Sequence, residues 1–86
     1  VSGNRKPAYP ILAKKRGIEG EVHLKVLISL SGQVDTVTIE QSSGSVLLDR
    51  AAVEAVSNWR YHLPLRDGRP VTVTDIVPVQ FRINSS

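Results

Sequence analysis

Residues 71–83 read as one long β-strand with a proline in its middle. Val71, Val73, Val77, Val79, Phe81 and Ile83 fall on one face of an extended chain, and Thr72, Thr74, Gln80 and Arg82 on the other. Pro78 has no N–H to give to a ladder, so a strand that carries it internally is confined to the edge of a sheet. An edge is where another chain can add a strand of its own. Asp75 and Ile76 break the alternation, a polar residue inward and an apolar one outward. That slip predicts a bulge or a local end of pairing.

The rest of the chain supplies the partners for this strand. Tyr9 and Pro10 open a short helix through Ile11 to Arg16, with Gly17 free to take the left-handed conformation that ends it. Lys14, Lys15 and Arg16 complement the helix dipole. From Glu21 the period is two: Val22, Leu24, Val26, Ile28 and Leu30 face one way, and Glu21, His23, Lys25 and Ser29 the other. Ser31, Gly32 and Gln33 form a turn into a second strand, Val34 to Gln41, whose apolar set is Val34, Val37 and Ile39. Their change of parity predicts a bulge. Ser42, Ser43, Gly44 and Ser45 break that strand, and one of the serines is expected to cap the next helix. In that helix Leu48, Ala52, Ala55, Val56 and Trp59 recur at helical spacing, over about four turns ended by the approach to Pro64. Arg66, Asp67, Gly68, Arg69 and Pro70 read as a turn-rich loop before the last strand.

The 86 residues suffice for one domain. Val1 to Arg5 read as a linker end, and residues 6–86 as the folded unit. The expected class is α+β in the order α-β-β-α-β. It places a three-stranded antiparallel sheet in strand order 2-1-3, both helices on one face and the last strand at the edge.

Little in the composition supports chemistry. With no cysteine there is no disulfide, thiolate nucleophile or sulfur-rich zinc site. His23 and His62 lack metal-ligand spacing, no serine stands in a nucleophile elbow, and Asp49 and Glu54 do not share a helix face. No glycine pattern cradles a phosphate. The chain therefore reads as a non-enzyme with no catalytic residue, metal or cofactor. No apolar run of about 18 residues is present, so this stretch does not span a membrane by itself. The net charge of +3 is concentrated in Arg5, Lys6, Lys14, Lys15 and Arg16. That charge would suit a basic RNA-binding domain, but the outward face of Glu21, His23, Lys25, Leu27 and Ser29 offers no aromatic stacking platform. Of the aromatic residues, Trp59 reads as core, and Tyr9 and Tyr61 as partners for each other.

An ordered set of short segments is similar to a known family. Lys6-Pro7-Ala8-Tyr9-Pro10 precedes a short basic helix, Gly20-Glu21-Val22 opens a strand, and Ser31-Gly32-Gln33-Val34 forms the hairpin. Trp59-Arg60-Tyr61, Asp67-Gly68-Arg69-Pro70-Val71 and Val77-Pro78-Val79-Gln80-Phe81 follow. Together, over about residues 6–83, they resemble the TonB C-terminal domain. Lys6 stands where the best-known members have glutamine, and Pro64 lies one residue later than usual. The resemblance implies a periplasmic energy transducer anchored in the inner membrane, with ExbB and ExbD as partners there. It also implies TonB-dependent outer-membrane receptors, whose TonB box would add to the last strand during uptake of iron siderophores, haem or similar nutrients. The implied contact residues are Lys6, Pro7, Ala8 and Tyr9 with Val73, Thr74, Asp75, Ile76, Val77, Pro78, Val79, Gln80 and Phe81. A TolA-like or secretion-related envelope module is the alternative of the same architecture.

Overall fold

A computed structural model describes residues 5–62, 65, 66, 68–70 and 73–83. Helix α1 (Ile11–Lys15) is short, and its end is specified locally. Gly17 takes φ +70°, its N–H donates to Lys14 O at 3.2 Å, and the Ile18 N–H reaches Ala13 O at 2.9 Å. This paired closure satisfies carbonyls that the last turn would leave bare. Strand β1 (Gly20–Ile28) and strand β2 (Val34–Gln41) form a hairpin, followed by helix α2 (Val46–Ser57). Two-residue strands β3 (Leu65–Arg66) and β4 (Arg69–Pro70) pair with each other, and strand β5 (Val73–Phe81) returns to the main sheet. That sheet has the order β2-β1-β5 and is antiparallel throughout, the expected arrangement.

Burial follows the alternation. Val22, Leu24, Val26 and Ile28 of β1 join Val77, Val79 and Phe81 of β5 under Ala13 of α1 and Leu48, Ala52 and Val56 of α2. Among the described residues the opposite face of the sheet carries no helix, and Lys25, Leu27, Thr74, Ile76, Pro78 and Gln80 are exposed on it. Each fully buried aliphatic side chain contributes about 1.5–3 kcal/mol relative to solvent exposure.

Several expectations need correction. The slip at Asp75 and Ile76 produces no bulge: β5 pairs with β1 without a register shift from Val73 to Phe81. Asp75 points inward because the Tyr61 hydroxyl donates to its carboxylate at 3.2 Å, and Ile76 remains 53% exposed on the open face. Tyr9 packs edge-on against Phe81, with ring centroids 5.4 Å apart, while Tyr61 pairs with Trp59. Leu30 lies in the turn, 59% exposed, instead of extending the inner face of β1. Helix α2 stops at Ser57, well before Pro64, which lies outside the described residues together with Val71 and Thr72. Side chains end it: Ser57 Oγ donates to Val53 O at 2.6 Å and Asn58 Nδ2 to Glu54 O at 2.9 Å. Such side-chain bonds compete with continuation of the helix. The loop around Gly68 is a miniature hairpin, with Leu65 opposite Pro70 and Arg66 opposite Arg69. An Asp-Gly pair between two extended segments is the usual signal for one.

The serine cap is inverted. Ser45 occupies the N-cap position, but its side chain makes no capping bond. Asp49, in the first turn, accepts instead from Ser42 Oγ, from Ser43 Oγ at 2.7 Å and from the Ser43 N–H at 3.0 Å. Partial burial pushes the Asp49 carboxyl up, but these three donors together outweigh it and hold the group below its ordinary range. The predicted bulge in β2 is present. Leu27 pairs with Thr36 and Ile28 with Val34, so Asp35 is the extra residue. A second shift skips Glu40, between the pairs His23 with Gln41 and Leu24 with Ile39.

Candidate functional site

The sheet has two edges, and they differ. The β2 edge is interrupted at both ends, and the extra residue at each interruption is acidic, Asp35 and Glu40. Bulges and charges are the means by which proteins blunt an edge against added strands. The β5 edge is regular along all nine of its residues. Its one irregularity is chemical, the missing donor of Pro78.

The direction of that missing donor follows from the ladder. The Ser29 N–H donates to Gln33 O at 2.8 Å, so odd-numbered residues of β1 turn their backbone groups toward β2. Both register shifts place the extra residue in β2 and leave β1 regular, so its even-numbered residues face β5. Pro78 lies opposite the odd-numbered His23. Its nitrogen therefore points away from β1, and β5 keeps every rung of its ladder. The open edge presents the N–H groups of Thr74, Ile76 and Gln80 and the carbonyls of Thr74, Ile76, Pro78 and Gln80.

A groove of about 520 Å³ runs along this edge, lined by Lys6, Pro7, Glu21, Trp59, Pro78, Val79 and Gln80. The segment Arg5 to Tyr9 forms its outer wall and is fastened at both ends. Trp59 Nε1 donates to Arg5 O at 2.8 Å, and the Tyr9 hydroxyl donates to Ile18 O while its ring meets Phe81. Neither fastening involves Lys6 or Pro7. A second depression of about 480 Å³ lies on the other side of this segment, where Arg5, Lys6, Ala8 and Trp59 meet Ala51, Glu54, Ala55 and Asn58 of α2.

The groove thus brings together Lys6 and Pro7 with Pro78, Val79 and Gln80. Ala8 lines the neighbouring depression. Tyr9 and Phe81 hold each other in the core region, and Val77 is buried with them. Val73 and Asp75 face inward, half-buried, whereas Thr74 and Ile76 are exposed at the earlier end of the strand. Sequence reasoning missed two members of the groove wall, Trp59 and Glu21. The indole N–H was the available signal for Trp59, because a tryptophan packed with one face on the core usually finds a partner for its donor. Glu21 belongs to a small polar cluster on the open face. Its carboxylate accepts from His23 Nε2 at 2.8 Å and from Gln80 Nε2 at 3.4 Å. The His23 bond first, and the Gln80 bond second, hold the Glu21 carboxyl below its ordinary range.

Among the described residues no group of His, Cys, Asp or Glu could hold a metal ion, and no helix is long and apolar enough to cross a membrane. The arrangement is suited to binding an extended chain through backbone hydrogen bonds.

Comparisons with known proteins bear on the family and the fold. Residues 5–83 match the family described as Gram-negative bacterial TonB protein C-terminal. Protein TonB of Vibrio cholerae is 35% identical over 83 residues, covering 96% of this chain and 34% of that protein. Protein tonB2 of Pseudomonas aeruginosa is 38% identical over 81 residues, covering 94% of this chain and 30% of that protein. The chain thus spans about a third of the length of these relatives. Among solved structures, the Pseudomonas aeruginosa TonB CTD superposes with a TM-score of 0.81 at 29% identity, covering 96% of this chain and 84% of that one. A Helicobacter pylori TonB-CTD gives 0.69 at 30% identity, with 94% and 85% covered. On the family match and on the fold, this chain belongs to the TonB C-terminal family.

Proposed function

We propose that this domain is the receptor-binding end of a TonB-type energy transducer, working in the periplasm. It takes the TonB box of an outer-membrane receptor as an added strand on the open edge of β5. A membrane anchor elsewhere in the full protein would connect it to ExbB and ExbD, so that the inner-membrane proton motive force drives uptake of iron siderophores, haem or similar nutrients. Nothing in this role requires catalysis.

The observation that carries the reading is the asymmetry of the two sheet edges. Bulges at Asp35 and Glu40 interrupt β2, whereas β5 runs unbroken beside a groove walled by Lys6 and Pro7. Strand addition draws its affinity from main-chain hydrogen bonds and its specificity from alternate side chains. Each bond contributes about 0.5–1.5 kcal/mol net. Several along one edge make a joint that holds and still releases.

Titration of isotope-labelled domain with a receptor box peptide tests this. The expected result is perturbation of the Thr74, Ile76 and Gln80 amides, with smaller changes at Lys6. Unchanged amides at these positions with millimolar peptide would reject strand addition at β5.

A further inference from the structure

The groove along β5 has two walls of different chemistry, divided by the plane of the sheet. On the helix side stand Trp59 and the inward Val79, with Lys6, which also borders α2. On the open side stand Glu21, Pro78 and Gln80. A strand added beside β5 sends alternate side chains to the two sides. One parity meets an apolar wall and the other meets a carboxylate.

We infer that Glu21 is a specificity-determining residue of this edge, selecting guest strands that carry a lysine or arginine on the open-face parity, across Gln80. This rests on the strand-addition reading and adds a partner chemistry to it. Glu21 lies on β1, two strands from a guest, a separation of about 9–10 Å at the usual strand spacing. A carboxylate on one side and a long cationic side chain on the other together span that distance. Gln80, opposite Glu21, lies between them with its amide on the carboxylate, and the compact ring of Pro78, one open-face position earlier, leaves that flank clear. Hydrogen bonds from His23 and Gln80 hold the Glu21 side chain on this face, at 2.8 and 3.4 Å. Other charged groups of the chain bear on the site, among them Lys25, exposed on the same face of β1. Arg82 lies beyond the end of β5 and attracts Glu21. Glu19 shares with Glu21 and Arg82 a depression at that end, and its carboxylate is occupied by the Ile83 N–H at 2.8 Å. Lys6 lines the same groove and also borders α2.

The experiment uses three short, end-capped peptides that alternate valine and threonine, with the central threonine kept, replaced by lysine, or replaced by glutamate. Each is titrated into the domain at low salt and into its Glu21→Gln and Glu21→Lys variants, with docking followed at the Thr74, Ile76 and Gln80 amides. The lysine peptide is expected to bind the native domain about two- to fivefold more tightly than the threonine peptide, the range of exposed ion pairs. Glutamate should weaken binding by a similar factor. The preference should vanish in Glu21→Gln, invert in Glu21→Lys, and shrink with added salt. If all three peptides perturb the edge amides with equal affinity, or the preference survives Glu21→Gln, the inference is overturned and strand addition stands. If no peptide perturbs them, both fall together.

Discussion

The Tyr61 hydroxyl donates to the carboxylate of Asp75 across 3.2 Å, and this bond lets a polar residue occupy an inward position of β5 without interrupting the strand. Burial first, then the Asp75 charge and this hydrogen bond, push the Tyr61 phenol up to about 12. A group whose folded value is raised stabilises the fold below its unfolded value and loses that contribution as pH rises through the folded one. The domain is therefore expected to lose stability between the ordinary tyrosine value near 10.0 and about 12. Ultraviolet titration should show one tyrosine ionising late. Asp75→Asn should bring that transition down, though not fully to the ordinary value, because burial remains. Tyr61→Phe should abolish it and cost about 1–3 kcal/mol in urea unfolding, since it strands a half-buried carboxylate. An alkaline stability curve identical in native and Tyr61→Phe proteins would contradict this account.

Backbone parity along β5 has its own signature. Amides of Asp75, Val77, Val79 and Phe81 face β1, whereas those of Thr74, Ile76 and Gln80 face outward. Hydrogen exchange in the free domain should alternate accordingly, slow at odd positions and fast at even ones. A docked strand should remove the alternation by protecting the even set. Uniform protection in the free domain would mean that the edge is covered.

The hairpin turn between β1 and β2 is locked to the segment after α2 by a close approach that only glycine permits. The Tyr61 N–H donates to Gly32 O at 2.7 Å, and a Cβ on Gly32 would stand 2.1 Å from Tyr61 O. Gly32 also has φ +86°. Gly32→Ala is expected to cost the left-handed penalty of about 1–2 kcal/mol, and about 1 kcal/mol more from the displaced hydrogen bond. Gly44 provides the control, since it has φ +93° and an added methyl there would meet nothing within 4 Å. Gly44→Ala should cost the first part alone. Equal losses in urea unfolding would show that the contact with Tyr61 carries no energy.

The Trp59 indole holds the outer wall of the groove through Arg5 O at 2.8 Å. Trp59→Phe keeps an aromatic ring and removes the donor. It should lower stability by about 0.5–1.5 kcal/mol. It should also raise picosecond-to-nanosecond mobility at the Lys6 amide and weaken box-peptide binding severalfold. Unchanged Lys6 relaxation would show that the wall is held by other means.

The sequence made the framework legible wherever one segment carried its own pattern. Alternation in residues 21–28 and 73–81 gave the two inner faces, Gly17 marked the end of α1, and the parity change after Val34 marked a bulge. Pro78 pointed to the strand that lies at an edge. Features that depend on two distant segments left no such mark. Asp75 looked like a defect because its partner, Tyr61, is 14 residues away. The bond between Gly32 and Tyr61 joins backbone groups, whose chemistry is common to nearly every residue. The open-face role of Glu21 required the register that sets it opposite Gln80 and beside His23.

On the proposed function, fastening Arg5 to Trp59 would also fix where a mechanical load enters the domain. The segment Arg5 to Tyr9 lies beside β5 and shares a groove with its edge. Tension arriving along that segment reaches a strand docked on β5 from the side, without passing through the hydrophobic interior. The two pulled chains would then slide past each other in shear, loading their rungs together, while the packed sheet behind them carries little of the strain.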